Sequence, residues 1–569
     1  MTVEFRVLTR LWRARSFVSV CLIAGLLVGI SGCQKLGLKP FGLKDLSLRS
    51  QSPDDEDDDE DLENEFATKL EIPMVGDYTS FTGLHRVVLE GVGLVIGLNG
   101  TGGNPPPSPH HEALLDDMRR RGIKNSHELI RSPNTALVVV RAYLPPLVKK
   151  GDKFDIEVRI PGDEGGTSLA GGRLLETVLA ETAIVPGRGQ MKGHIVARAQ
   201  GPILVGMDID GDGSEVGLQK RGKVLGGGMS HIDRDMALYV KTDFRTFRNI
   251  TRLADRIGTR FYAYDKYGVT EPLADAQTDQ RILLKLHPVY ENNYPRYLQV
   301  IQAIAFRESS VAQRVRMKRL EDQLTTPKTS QDAALQLEAI GDNAIPILKA
   351  GLNSEHLECR FHSAVALAYL EQPDGIEVLH EAAAKERAFR VFAYAALSVI
   401  DDPQANLALR DLMNVQEGEG GEMMDSAETR YGAFKALWTL DSDDPFLAGE
   451  KLNDEFWLHP LETRGAPMVH ITQWKRPEVV LFGRDQEFQL PIAVRAGNHI
   501  LVTSRPGGTE IVVSRFSARG EDLQRFVSPR IEEVIRAAGE LGASYPDIAQ
   551  LLLQASYQGN LPGRFEMDA

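Results

Sequence analysis

The chain of 569 residues is too long to close around one hydrophobic core and fits roughly three or four folding units. With 42% hydrophobic and 25% charged residues it has a globular composition, and its net charge of −14 argues against a nucleic-acid partner. Its three cysteines, Cys21, Cys33 and Cys359, leave no disulfide framework, so stability must come from packing.

In chain order, Arg6, Arg10, Arg13 and Arg15 precede the apolar stretch Phe17 to Ile30, which is short for a membrane span and reads as an export signal. The run Ile30-Ser31-Gly32-Cys33 resembles a lipobox, the bacterial lipoprotein signature, which implies cleavage ahead of Cys33 and lipidation of its sulfur. Gln34 after the cysteine resembles lipoproteins sent to the outer membrane. Residues 1–32 are thus expected to be a signal peptide. Residues 33–70, with a dense carboxylate run from Asp54 to Glu65, have little to bury and repel themselves, so a disordered acidic tether is expected.

The remainder is organised around Gly91 to Gly103, Gly-Val-Gly-Leu-Val-Ile-Gly-Leu-Asn-Gly-Thr-Gly-Gly, which reads as a strand followed by a tight glycine turn. A helix follows, with Ser108 as cap, Pro109 in its first turn, Leu114, Leu115 and Met118 on one face, and Gly122 as stop. A glycine turn before a helix can also cradle phosphate, but no Gly-Lys-Ser/Thr follows, and the prolines of Asn104 to Pro109 remove the N–H donors a phosphate would need.

Gly91, Gly93, Gly97, Asn99, Gly100, Thr101 and Gly102, then Arg121-Gly122-Ile123, then Asn134 to Val140, then Leu144-Pro145-Pro146, resemble in order and spacing the opening of the bacterial flagellar P-ring protein family. The resemblance implies a non-catalytic structural subunit, without metal or cofactor, of a periplasmic ring that is associated with peptidoglycan and surrounds the flagellar rod. Members commonly carry an internal cystine, which this chain lacks.

Ala136 to Val140 reads as a buried strand, and Phe154 to Ile160 alternates as a strand with one wet face. Gly165 to Leu175 and Ala197 to Gly206 resemble further family blocks, the second as a strand entered through an alanine-glutamine-glycine turn. Asp208-Ile209-Asp210-Gly211-Asp212-Gly213 begins like a calcium loop, but Val216 and Gln219 occupy the positions that close coordination, so a solvated hairpin loop is expected. Met236 to Lys241 and Ile282 to Leu286 read as strands, the residues Ile250, Leu253, Ala254 and Ile257 as a helix face, Tyr297 to Ile301 as a helix or strand, and Arg307 to Arg319 as a basic connecting helix.

Ala333 to Leu337, Ala364 to Leu367, Ala393 to Leu397 and Ala433 to Leu437 then recur at spacings of about thirty, thirty and forty residues, closing at Ile340, Leu370, Ile400 and Leu440. Arg360, Arg390 and Arg430 open three of these units, and Glu417 to Glu422 supplies the loop of the longer period. The pattern resembles HEAT-like repeats, whose stacked helix pairs expose a concave partner surface. His356, His362 and His380 stand at unrelated spacings and read as surface or packing residues rather than ligands.

Strand patterns return at Pro477 to Gly483, Pro491 to Val494 and His499 to Thr503, and Val534 to Ala543 with Pro546 to Leu552 resembles the family's closing helix pair. The expected fold is α+β: P-ring-like portions at 71–310 and 460–569 combining into a single β-rich body, from which an all-α solenoid at 325–455 loops out. The expected function is that of a homo-oligomeric bushing in the periplasm. Its expected partners are copies of itself, the rod, outer-membrane ring proteins, peptidoglycan and, through its lipid, a membrane. The alternative is a lipid-tethered envelope scaffold with no flagellar role.

Overall fold

The computed structural model describes residues 72–162, 166–185, 189–206, 219–414, 427–483, 485–516 and 521–568. The expected signal peptide (1–32), Cys33, the expected tether (33–70), Asp208 to Gly213 and Glu417 to Glu422 lie outside the described residues.

After β1 (Thr79–Thr82), the strands β2 (Val87–Ile96), β3 (Thr135–Leu144), β4 (Lys153–Arg159), β5 (Arg173–Val185), β6 (Gly189–Pro202) and β8 (Arg221–Ser230) pair antiparallel in the order β4-β3-β2-β5-β6-β8. Pairing of β8 back onto β4 closes a six-stranded barrel, and the short β7 (Leu204–Val205) adds to β8. Period-two alternation fills it: Phe154, Ile156 and Val158 of β4 point into a core with Leu89, Val138, Val140 and Leu179, while Lys153, Glu157 and Arg159 face outward. The helix Pro109–Arg120 starts where the Ser108 hydroxyl accepts the His111 N–H at 3.2 Å, and it lays Leu114, Leu115 and Met118 on Leu94 and Leu137 of the outer wall. Ala197 to Gly201 lies within the long strand β6 instead of forming a turn that enters a new one; the kink falls at Gly201, φ +142°, just before β7.

A small sheet of order β1-β9-β13-β12 follows, with β9 (Met236–Val240), β12 (Ala274–Ala276) and β13 (Arg281–Leu284), beside a hairpin of β10 (Tyr262–Tyr264) and β11 (Thr270–Pro272). The helix Phe247–Arg260 buries Ile250, Leu253, Ala254 and Ile257 on it, and Tyr297 to Ile301 is helical within Tyr294–Gln302. The basic segment forms the helix Ser310–Leu324, where Arg316 is buried against Glu308 at 2.7 Å.

Helices then alternate: Pro327–Ile340 with Ile345–Gly351, Leu357–Tyr369 with Ile376–Lys385, Arg387–Leu397 with Pro403–Met413, and last Ala427–Leu440. The recurring alanines, among them Ala333, Ala364, Ala393 and Ala433, are fully buried, because their small side chains let neighbouring helix backbones approach.

The C-terminal portion contains a sheet of order β14-β15-β17-β16-β22, formed by β14 (Glu450–Leu452), β15 (Phe456–Leu461), β16 (Met468–Ile471), β17 (Glu478–Phe482) and β22 (Arg564–Met567). A second sheet runs β18 (Ala493–Ala496), β19 (Ile500–Ser504), β20 (Ile511–Arg515) and β21 (Leu523–Val527). The helices Ile531–Glu540 and Tyr545–Tyr557 share one core with both sheets.

Among the described residues no sheet mixes strands from residues 79–284 with strands from 450–567. The barrel satisfies its own ladder all the way round, so later strands meet it by side-chain contact and not by pairing. The two portions share packing instead: Met236, Leu238 and Ile282 lie in one apolar core with Met468, Val480 and Phe482. One continuous apolar core runs from Val75 through Tyr297, Tyr369 and Phe434 to Phe482, so the helices are packed into the body at both ends.

Candidate functional site

Gly91 and Gly93 lie in β2 where its pairing with β5 shifts register between Glu90 and Val95. A Cβ on Gly91 would collide with the Val178 carbonyl, and one on Gly93 with Thr177 and, at 2.9 Å, with Leu174. These two glycines therefore serve the barrel wall, where strands press together. Gly97 (φ +81°) and Gly100 (φ +78°) carry the turn through the left-handed region, with Asn99 exposed between them.

Gly97, Asn99, Gly100, Thr101 and Gly102 gather with the loops at 132–135 and 166–168 at one end of the barrel. The N–H groups of Leu98, Gly102 and Gly103 donate to the carbonyls of Asn134, Pro133 and Thr135 at 3.1, 2.9 and 3.2 Å, and that of Gly100 donates to Asn134 Oδ1 at 3.1 Å. The Thr101 carbonyl accepts the Thr167 N–H at 2.8 Å, and its hydroxyl donates to the Ser168 carbonyl at 2.9 Å. An anion cradle needs N–H groups aimed at a ligand; here they are satisfied within the protein, and the turn acts as a stitch between loops.

Two buried polar networks were not apparent from the sequence. Glu338 has no exposed surface, pairs with Arg296, and accepts the Tyr290 hydroxyl at 2.7 Å. Burial pushes the Tyr290 hydroxyl well above its ordinary range, so it stays a donor. Its ring stacks on Tyr369 at 4.9 Å, and the Tyr369 hydroxyl accepts from Asn293 at 2.7 Å. This network joins the last helix of the small-sheet region to the first two alanine-rich helices. Its signal in the sequence is a lone carboxylate next to Leu337 on an otherwise alanine- and leucine-lined face.

At the other end of the helical block, Glu478 of β17 is fully buried and accepts from Tyr431 at 2.7 Å and Lys435 at 3.2 Å while pairing with Arg476. Burial alone would raise its carboxyl, but Lys435 and Arg476 outweigh that and hold it below its ordinary value. The Arg476 guanidinium lies 3.8 Å over Trp438, and Tyr431 stacks on His470 at 3.8 Å.

The recurring arginines do different work. Arg360 donates to the carbonyls of Ser354 and Glu355, both at 3.2 Å, and Arg390 to that of Ala383 at 3.0 Å. Arg430 donates instead to the Ala466 carbonyl at 2.6 Å and the Thr463 hydroxyl at 3.0 Å, across the boundary with the C-terminal sheet.

Among the described residues no three His, Cys, Asp or Glu side chains could hold a metal, and no helix is long and apolar enough to cross a membrane. His356 is exposed, His362 is depressed to about 4 by burial, His380 lies 3.0 Å from Asp411, and Cys359 is a buried free thiol.

These features define an α+β scaffold whose buried charges join modules together. Residues 74–321, spanning the barrel, the small sheet and most of the connecting helix, match the family model of the flagellar P-ring protein. The flagellar P-ring protein of Geobacter metallireducens is 29% identical over 248 residues, which cover 42% of this chain and 62% of the relative. That of Caulobacter vibrioides is 34% identical over 203 residues, 33% of this chain and 50% of the relative. That of Campylobacter jejuni is 33% identical over 203 residues, 34% of this chain and 55% of the relative. The chain thus spans between half and two thirds of the length of these relatives. The matches support a structural role of the flagellar P-ring kind.

Proposed function

We propose that this protein is a structural subunit of a flagellar P-ring-like bushing, assembling with copies of itself in the periplasm around the rod and having no enzymatic activity. The observation that carries the reading is the family match over residues 74–321, which takes in the glycine block from Gly91 to Gly102. A bushing must hold its neighbours tightly and the rod weakly, so it needs large packed faces and stiff modules rather than a reactive centre. The internally satisfied glycine turn and the two buried charge networks suit that requirement.

In this reading residues 1–32 are a signal peptide, Cys33 carries lipid anchored in the outer membrane, residues 33–70 are a tether, and residues 325–455 are a HEAT-like block that contacts another ring, the rod or an envelope protein. The body at 71–310 and 460–569 meets the rod, its own copies and peptidoglycan.

The test is deletion of the gene, followed by complementation with the full chain or with a chain lacking residues 325–455. Loss of swimming, and loss of ring density in electron micrographs of isolated basal bodies, is the expected outcome of deletion. Normal swimming with a weakened envelope would instead favour the scaffold without a flagellar role.

A further inference from the structure

The modules of the body are joined in two different ways. The small sheet, the helical block and part of the C-terminal sheet share one apolar core and are pinned by buried charges. The barrel has a core of its own, and among the described residues Leu204, with Leu225 beside it, enters the C-terminal core from the barrel region.

The chain enters and leaves the barrel through a narrow neck, residues 83–86 and 231–235. There the Arg234 guanidinium donates to the carbonyls of Leu144 and Pro145 at 3.2 and 2.9 Å and to those of Gly83 and His85 at 3.3 and 2.8 Å, tying both connections to the end of β3. Between this tie and the Thr82–Ala237 pair of the small sheet only Gly83 and the Asp235–Met236 step remain, so a rotation of the barrel would have to be taken up there, with Gly83 already at φ +85°.

Apart from Leu204 and Leu225, the barrel meets the C-terminal module through small polar contacts. The Asp155 carboxylate accepts the Gly226 N–H of the barrel at 2.8 Å with one oxygen and the Lys475 N–H of the C-terminal module at 2.7 Å with the other. The Lys223 ammonium lies 3.2 Å over the Trp474 ring. Arg173 pairs with Glu455 at 2.6 Å, the arginine side chain half exposed. On the other side Leu147 rests on the small-sheet core, and Lys149 lies 3.9 Å from Glu291. Between the Asp155 and Arg173 contacts runs an open cleft of about 360 Å³, floored by Leu204, Val224 and Leu225.

We infer that the barrel is a swinging unit, hinged at Gly83 and Asp235 and latched to the C-terminal module by Asp155. A closed barrel with its own core moves without breaking its ladder, and small polar interfaces between modules yield before apolar ones do. This goes beyond the ring reading and does not depend on it.

The test uses the mature chain with Cys33→Ser and Cys359→Ala, spin-labelled at Lys153→Cys and Asp454→Cys, exposed positions on opposite walls of the cleft, with the distance distribution read by electron–electron resonance. The expected result is a dominant short distance in the parent. In Asp155→Ala the longer-distance population rises about tenfold, the factor expected for losing one hydrogen bond to a charged acceptor. Because Asp155 also supports the Gly226 bulge, Glu455→Ala, which breaks the other contact without touching the barrel ladder, must move the distribution in the same direction. An unchanged distribution in the Asp155→Ala/Glu455→Ala double variant, with barrel amides still protected from exchange, would overturn the latch.

Discussion

Arg296 and Glu338 form an ion pair in which the carboxylate has no exposed surface and the guanidinium side chain retains 16%. It crosses from the helix Tyr294–Gln302, which packs on the small sheet, to the helix Pro327–Ile340, the first of the alanine-rich series. A charge is not taken out of water at such a place unless its partners are fixed, so this pair defines the angle at which the helical block leaves the small-sheet region. Glu478 does the same at the far end with Tyr431, Lys435 and Arg476. The helical block is thus a strut with a charged joint at each end.

Glu338→Gln should destabilise the protein by about 3 kcal/mol or more, because it leaves the Arg296 guanidinium buried without its counter-charge. Urea unfolding followed by far-UV circular dichroism measures it. Arg296→Met/Glu338→Leu in a Tyr290→Phe background, which removes both charges without orphaning the Tyr290 hydroxyl, should recover most of the loss. A double variant as unstable as Glu338→Gln would mean that the pair's shape, rather than its charge balance, holds the joint.

Two of the repeat arginines, Arg430 and Arg360, should separate by partner. Arg430→Met abandons the Ala466 carbonyl and Thr463 hydroxyl at a fully buried site and should cost about 2 to 4 kcal/mol. Arg360→Met removes contacts from a half-buried side chain and should cost about 1 kcal/mol. Thermal melts of the two variants side by side give the comparison, and equal losses would remove the special role of Arg430.

Much of this architecture was legible because local chemistry and tertiary structure agree. Ser108, Pro109 and the Leu114, Leu115, Met118 face gave the helix its start and its buried side, and the alanine spacing gave the helix series. What the strands pair with was not legible. The alternation of Phe154, Ile156 and Val158 fixes which way each side chain points but not that β4 meets β8, some seventy residues on, to close a barrel. Closure is a property of the whole sheet, so no single strand announces it. The buried carboxylates escaped for a related reason: Glu338 and Glu478 read as surface charges until their partners, 42 and 43 residues away for Arg296 and Lys435, are brought beside them.

The glycine block should divide by mechanism. Gly93→Ala forces a Cβ into Thr177 and Leu174 of β5 and should cost about 1 to 3 kcal/mol as overpacking, with Thr177→Ala relieving part of it. Gly100→Ala meets no atom within 4 Å and should cost about 1 to 2 kcal/mol through its left-handed backbone alone, with no rescue from Thr177→Ala. Chemical denaturation of the two singles and two doubles checks this; rescue of both by Thr177→Ala would contradict the separation.

Acid should weaken the body through its buried histidines, His362 and His470 foremost. Burial depresses His362 to about 4 and His470 to about 3, against an ordinary value of 6.5. Both are bases kept neutral in the folded state, so as pH falls below 6.5 the unfolded chain takes up protons that the folded chain refuses. Their contribution is therefore intact above pH 6.5 and is lost on the way down to the folded values, at roughly 1.4 kcal/mol per pH unit for each group once the unfolded histidine is charged. Asp568 acts in the opposite direction. Burial raises it to about 6, so its folded carboxyl prefers the proton and gains stability as pH falls from about 6 toward 3.8, offsetting one histidine over that window. Burial lowers His287 and His459 as well, and His470 lies 3.4 Å from Asp568, so the net expectation between pH 6 and 4.5 is a loss of stability as pH falls, to which His362 contributes one group's share. His362→Phe, which keeps an aromatic ring beside Phe361 and Phe389, should reduce the slope across this window by about one group's share. Unfolding free energies measured at half-unit pH steps in parent and variant decide it, and a variant with the parent's slope would show that His362 takes up its proton in the folded state.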